Sequence, residues 1–189
     1  MVIIIGLTGP IASGKDIVAN YLVKKGFSYY SLSQIVRDEA DSKGLSKSRE
    51  ILQNIGNELR NKHGNKILAE RIINKIDFNK NSVIDSIRNP GEIEILKKLG
   101  NFLLIGVTAS IDTRFKRLLI RNKESDPKTY DEFLRLEARD RGINEPNSGQ
   151  QVQKCLELAD IQFVNEFNSI DEFEKQIEIL LQEKKIIST

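Results

Sequence analysis

The chain has 189 residues, 29 Lys and Arg against 27 Asp and Glu for a net charge of +2, and 39% apolar residues. That size and composition suit one globular domain with its own core and exclude wholesale disorder, while the near-neutral charge gives no strong electrostatic case for a nucleic-acid or membrane partner. Cys155 is the only cysteine and His63 the only histidine, so neither a disulfide framework nor a Cys/His zinc cage can be assembled.

In chain order, the first apolar run is Val2-Ile3-Ile4-Ile5, within a strand predicted over Val2–Leu7. It is too short for a leader-peptide core or a membrane span, and no other stretch reaches the required length; a soluble, cytoplasmic protein is expected. Ile17, Val18, Tyr21 and Leu22 then recur at helical spacing up to Gly26, a C-terminal stop. A weak strand comes next at Ser28–Ser31. His63 lies in a polar stretch and reads as a solvated surface residue rather than a catalytic base. Ser82–Ile87 and Phe102–Thr108 contain continuous apolar runs, as strands buried on both faces do. Between them Asn89-Pro90-Gly91-Glu92 spells an N-cap, a Pro at the first helical position and a Glu at the third, and Ile93, Leu96 and Leu99 form a stripe ended by Gly100. Thr129 opens another helix, Ile161–Val164 is the fifth strand, and Ser169-Ile170-Asp171-Glu172 caps a terminal helix with Phe173, Ile177, Leu180 and Leu181 on one face. The alternation predicts a parallel sheet covered by helices on both faces. The more polar regions, Asp41–Lys47 with the helices after it and Asn122–Gln151, read as insertions within one domain, where an α/β fold often carries its function.

The most specific motif is Gly9-Pro10-Ile11-Ala12-Ser13-Gly14-Lys15-Asp16, which fits a phosphate-binding loop in all but its last position. Its glycines let backbone N–H groups turn towards phosphate oxygens, the helix after it aims its positive end at them, and Lys15 adds a point charge. Asp16 stands where a Ser or Thr hydroxyl usually meets magnesium; a carboxylate is also a hard oxygen ligand, so Asp16 is a candidate metal ligand as well as a favourable helix-terminus charge. Asp85 ends the third strand, where ligands of open parallel sheets gather, and is the second metal candidate; Arg88 comes three residues later, placed to pair with a phosphate. Arg37 lies just beyond the second strand, and Arg117 and Arg121 share a helix face with Arg114 one turn earlier.

These segments, together with Ser125-Asp126-Pro127-Lys128-Thr129 and Ala159 to Glu166, resemble the nucleoside monophosphate kinase branch of P-loop phosphotransferases, and especially archaeal proteins related to adenylate kinase and dephospho-CoA kinase. The resemblance spans residues 1 to about 181 and implies a three-layer α/β fold with five parallel strands in the order 2-3-1-4-5 and a lid insertion. It implies an acceptor-binding segment at about 32–78 and a lid-like segment at about 117–150. It further implies that Arg37 and Arg88 hold the acceptor's phosphate, that Arg117 and Arg121 surround the transferring group, that Arg139 and Arg141 belong to the lid's return helix with Arg139 on the substrate side, and that Asn165 lies near the ATP base. A Lys-Asp ending to the loop is also found in phage deoxynucleoside monophosphate kinases and animal phosphomevalonate kinases. Two departures stand out: dephospho-CoA kinases carry aspartates at the positions of Ser31 and Ser33, and adenylate kinases have Gly-Asp where Ser33-Gln34 stand. The stretch Gly142 to Cys155 has no counterpart in either enzyme.

The expected reaction is magnesium-dependent transfer of the ATP γ-phosphoryl group to a small phosphorylated acceptor, a nucleoside or deoxynucleoside monophosphate, without a covalent enzyme intermediate. A dephospho-CoA kinase-like activity and an ATP-binding regulator are the competing readings. Sequence does not name the acceptor, because base recognition depends on a few hydrogen bonds from weakly patterned segments.

Overall fold

In a computed structural model of the protein, which describes residues 2–123 and 126–187, five strands form an all-parallel sheet in the order β2-β3-β1-β4-β5. They are β1 (Ile4–Thr8), β2 (Ser28–Ser31), β3 (Ser82–Ile87), β4 (Phe102–Thr108) and β5 (Ile161–Val164). Four match their predicted bounds. The first begins at Ile4 rather than Val2, because its partners in the ladder begin at Ser82 and Phe102, which lie opposite Ile4.

Alternation of side chains divides the core into two faces. Ile4, Ile84, Ile87 and Leu104 pack on one side with α2 (Leu32–Ser42), α3 (Arg49–His63), α4 (Ile67–Ile73) and α5 (Pro90–Lys97). Ile5, Leu7, Val83, Ile105 and Val107 pack on the other with α1 (Lys15–Lys24) and α9 (Ile170–Glu183). Ile84 and Ile87 share a face although they are three residues apart, which strict alternation forbids. A bulge explains it: Gly6 pairs with Ile84 and Thr8 with Ile87, so Asp85 and Ser86 together face Leu7, and Ser86 adopts a φ of 67°. The bulge breaks the alternation just where β3 delivers Asp85 to the C-terminal edge of the sheet.

Caps fix the helix starts. Asn89 accepts from the Gly91 amide in a complete capping box with Glu92. Thr129 and Ser169 accept from Glu132 and Glu172 at the starts of α7 (Tyr130–Arg141) and α9, and Ser110 accepts from Thr113 at the start of α6 (Ile111–Arg121). The polar stretch after Asn122 is built on a small core of its own, Ile11, Leu118 and Phe133, which ties α6 and α7 to the loop after β1. A short α8 (Val152–Glu157) buries Cys155 against the main core, which pushes its thiol well above the ordinary range and makes it an inert packing residue. His63 is exposed at the end of α3. No helix of the described residues is long and apolar enough to cross a membrane.

Candidate active site

Between β1 and α1 the chain must turn tightly and let other backbone come close, and its glycines answer that need. Gly9 has a φ of 142°, and a Cβ there would lie 2.0 Å from the Val107 carbonyl oxygen; Gly14 has a φ of 99°, and a Cβ there would lie 2.3 Å from Asn165 Nδ2. The first helical bonds run from Ile17 and Val18 to the Gly14 carbonyl, so the Lys15 and Asp16 amides precede the helical ladder and are available to an anion. Lys15 Nζ donates to the Pro10 carbonyl at 2.8 Å and lies 3.5 Å from Ser13 Oγ. Burial pushes its ammonium down to about 8; the Asp85 and Asp16 carboxylates oppose that shift, and Arg88 and Arg49 add to it. A cation desolvated in this way gains most from a phosphate placed beside it.

A cavity of about 700 Å³ opens from this loop across the C-terminal end of β3 to the helices α2 and α3. Lys15, Asp16, Asp85, Arg37, Arg88 and Arg121 all line it, as do Ile11, Ala12 and Gly14 of the loop. Gly9, Pro10 and Ser13 stand behind that wall: they are buried, and Ser13 holds Asn165 through its carbonyl. Asp85 Oδ2 accepts from Tyr29 at 3.3 Å and Ser86 at 3.1 Å, while its buried Oδ1 has no partner among the described residues. Asp16 is exposed at the cavity wall. Two hard carboxylates beside a phosphate loop fit a magnesium ion carried in on a nucleotide, with the unpartnered Asp85 oxygen as the protein's open donor.

Sequence reading missed a buried polar cluster. Asp140, fully buried on α7, accepts from Arg49, from Gln53 Nε2 at 2.6 Å and from Arg88 at 3.3 Å. Burial alone would push its carboxyl up, but the Arg49 and Arg88 guanidiniums outweigh it and hold Asp140 below the ordinary carboxylate value. Arg49 carries part of the cost: burial lowers its guanidinium against the pull of Asp140, and it remains cationic at any physiological pH. Arg88 therefore pairs with Asp140, not with nearby Asp85. Its other support comes from the stretch without a counterpart: Gln150 Oε1 accepts from Arg88 at 3.3 Å, Gln151 donates its amide to the Arg88 carbonyl at 2.7 Å, and the Asn147 and Gly149 carbonyls both accept from Asn89 at 2.9 Å. Residues 142–151 thus brace the strand end that carries Arg88.

The remaining arginines divide. Arg121 lines the cavity and forks onto Asp126, at 2.9 and 2.5 Å. Arg117 does not line it; it donates to the Asn165 carbonyl and side chain and to the Phe167 carbonyl, each at 3.1 Å, which fixes Asn165 against the Ser13 carbonyl at 2.9 Å. Arg114 forks onto buried Glu137 at 2.8 and 2.7 Å and also donates to the Ile11 carbonyl, joining α6, α7 and the loop. Arg139 is committed to Glu145 at 3.1 Å and Asn54 at 2.7 Å, away from the cavity lining, because α7 turns that face towards α3; Arg141 meets Gln153 at 3.1 Å. Ser125 lies outside the described residues.

Residues 5–153 match the AAA domain family. A UPF0200 protein of Hyperthermus butylicus is 34% identical over 95% of this chain and 93% of its own length, and one of Pyrobaculum aerophilum is 33% identical over 97% and 99%. Shikimate kinase from Acinetobacter baumannii, solved with shikimate, aligns over 99% of this chain and 97% of that one with a TM-score of 0.60; at 12% identity that likeness concerns the fold alone. Taken with the strand order and the phosphate loop, these matches place the chain in the AAA domain family and among the UPF0200 proteins, with a P-loop kinase-like fold.

Proposed function

We propose that the protein transfers the γ-phosphoryl group of ATP to a small phosphorylated acceptor, a nucleoside or deoxynucleoside monophosphate, with a dephospho-CoA kinase-like activity as the alternative. The observation that carries this reading is the continuity of the cavity, in which Lys15 of the loop and Arg37, Arg49 and Arg88 line one open cleft. A nucleotide switch needs the loop only; a second set of cations within reach of the first suits two phosphate-bearing substrates held in line. The loop amides and Lys15 stabilise the β,γ-phosphates. Arg121 neutralises charge that develops on the transferring group. Arg117, through Asn165, shapes the wall on the base side. Asp16 and Asp85 would hold a magnesium ion brought in with the nucleotide, which would supply positive charge to the phosphates. Residues 32–78 then form the acceptor side, and residues 117–150 the cover.

A panel of nucleoside monophosphates, dephospho-CoA and shikimate, incubated with ATP and magnesium and scored for ADP and phosphorylated product, tests the reading. Arg37→Ala is expected to weaken the productive acceptor by about 10- to 150-fold in kcat/KM, the equivalent of one charge-assisted contact, with ATP binding close to wild type by titration calorimetry. ATP hydrolysis indifferent to every acceptor and to Arg37→Ala would identify a regulator instead.

Asp16 carries a separate expectation. With its carboxylate on the metal, Asp16→Asn raises the magnesium concentration needed for half-maximal activity more than it changes ATP affinity measured without metal. Superimposable magnesium titrations would leave Asp16 as a helix-terminus charge only.

A further inference from the structure

One helix contributes an unusual polar stripe to the cavity. Arg49, Gln53, Gly56 and Arg60 of α3 succeed one another at helical spacing and all line it. Gln53 and Arg60 are each only 2% exposed, and each leaves one atom without a partner among the described residues, Gln53 Oε1 and Arg60 Nη1. The opposite ends of the two side chains are tied down. Gln53 Nε2 donates to Asp140, which fixes the amide orientation: a carboxylate only accepts, so the free atom must be the oxygen. Arg60 Nε donates to Glu92 Oε1 at 2.9 Å and its Nη2 pairs with the same oxygen at 2.8 Å, and Glu92 is itself held by the Arg88 and Asn89 amides at 2.8 and 3.0 Å. The stripe thus offers one committed acceptor and one committed donor, both desolvated.

Gly56 lies between them on the cavity lining and presents no side chain of its own. A Cβ there would meet Arg60 Nη1 at 3.4 Å and Val36 Cγ2 at 3.8 Å, so Arg60 leans back over Gly56. Gln53 and Gly56 stand about one helical turn apart, roughly 5 Å along the axis. A phosphate or carboxylate would satisfy Arg60 but be repelled by Gln53 Oε1. Resting on the acceptor site proposed above, we infer that Gln53 and Arg60, with the space left by Gly56, read the base of the acceptor. An N–H of the base donates to Gln53 Oε1, and an adjacent ring nitrogen or carbonyl oxygen accepts from Arg60 Nη1, a donor-beside-acceptor edge that the nucleobases share. Leu52 and Ile72 of the same cavity supply apolar surface for the ring faces.

The glycine makes the inference testable with effects of opposite sign. Glycine in a helix interior costs stability relative to alanine, and the Cβ contacts here are of ordinary length, so Gly56→Ala is expected to raise the melting temperature by about 2–4 °C. The same methyl fills the space where a base would lie. The ratio of kcat/KM for the preferred nucleoside monophosphate to that for ribose 5-phosphate, which lacks a base, is expected to fall about tenfold in Gly56→Ala and also in Gln53→Met, which removes the acceptor atom and the donor to Asp140 at similar volume, the base-free ligand correcting for the second loss. Binding of the same two ligands by calorimetry provides a readout independent of turnover. Ratios unchanged in both folded variants would overturn this inference and leave the kinase reading standing. Base-selective binding that both variants weaken, without any phosphoryl transfer, would uphold the inference and overturn the kinase reading. A wild-type protein that neither binds nor phosphorylates any monophosphate would overturn both.

Discussion

Replacing Lys15 with alanine is expected to reduce phosphoryl transfer at least about a hundredfold while leaving the protein folded, because a preorganised cation aimed at developing phosphate charge is worth that much. The fold has little to lose. Lys15 is pushed down to about 8 mainly by burial, so its charge is a local cost, and its 2.8 Å bond to the Pro10 carbonyl serves the loop alone. An unfolding midpoint at or above that of wild type should accompany the loss of activity. A folded Lys15→Ala variant with near-normal transfer would remove the loop from the reaction.

The same ammonium gives nucleotide binding a pH dependence. In the free protein it releases its proton near pH 8; a bound polyphosphate favours the charged form and raises that value. Above pH 8 the complex therefore holds a proton the free protein has lost, and ATP affinity should fall by up to about tenfold per pH unit from there upward. Below pH 8 Lys15 contributes no further change. Dissociation constants measured from pH 7 to 9.5 should show the bend in wild type and not in Lys15→Ala. A wild-type profile flat to pH 9.5 would contradict the assignment of the charge.

How much of this was legible in the sequence depended on whether a feature was local. The strands at Ser82–Ile87 and Phe102–Thr108 could be read to the residue because both faces of each are buried, and the Asn89 cap because its donors and acceptors lie within four residues. The loop from Gly9 to Lys15 was legible because its glycines are required by positive φ angles and close backbone. Arg114, Arg117 and Arg139 were found as candidates but not their directions: their partners Glu137, Asn165 and Asn54 lie 23, 48 and 85 residues away. Arg49, Gln53 and Asp140 were missed because polar residues on amphipathic helices read as solvated faces, and nothing nearby in the chain says that α3 and α7 turn those faces towards each other. Gly56 was the available clue. A lone glycine inside a helical pattern is costly and calls for a packing or ligand reason.

That buried contact between α3 and α7 sets the second large effect. Asp140→Asn removes the negative charge that Arg49 and Arg88 share and leaves two cations facing each other at the edge of the cavity. Breaking a buried pair on one side costs about 3–5 kcal/mol, which for a chain of this size lowers the melting temperature by about 6–20 °C. Wild type should show the related acid sensitivity. Asp140 titrates below its ordinary value of 3.8 when folded, so the stability it contributes is present above that pH and is lost as pH falls through the folded value. Asn at this position cannot titrate, so its penalty should be nearly constant from pH 5 to 8 and shrink in acid. Arg49 and Arg88 line the proposed acceptor site, so an anion bound there can stand in for the missing carboxylate. Inorganic phosphate should therefore raise the melting temperature of Asp140→Asn by more than it raises that of wild type, by several degrees at concentrations well above its dissociation constant. A variant melting within about 2 °C of wild type would show that Arg49 and Arg88 are held apart without Asp140. Equal phosphate shifts in the two proteins would show that these arginines do not bind the anion.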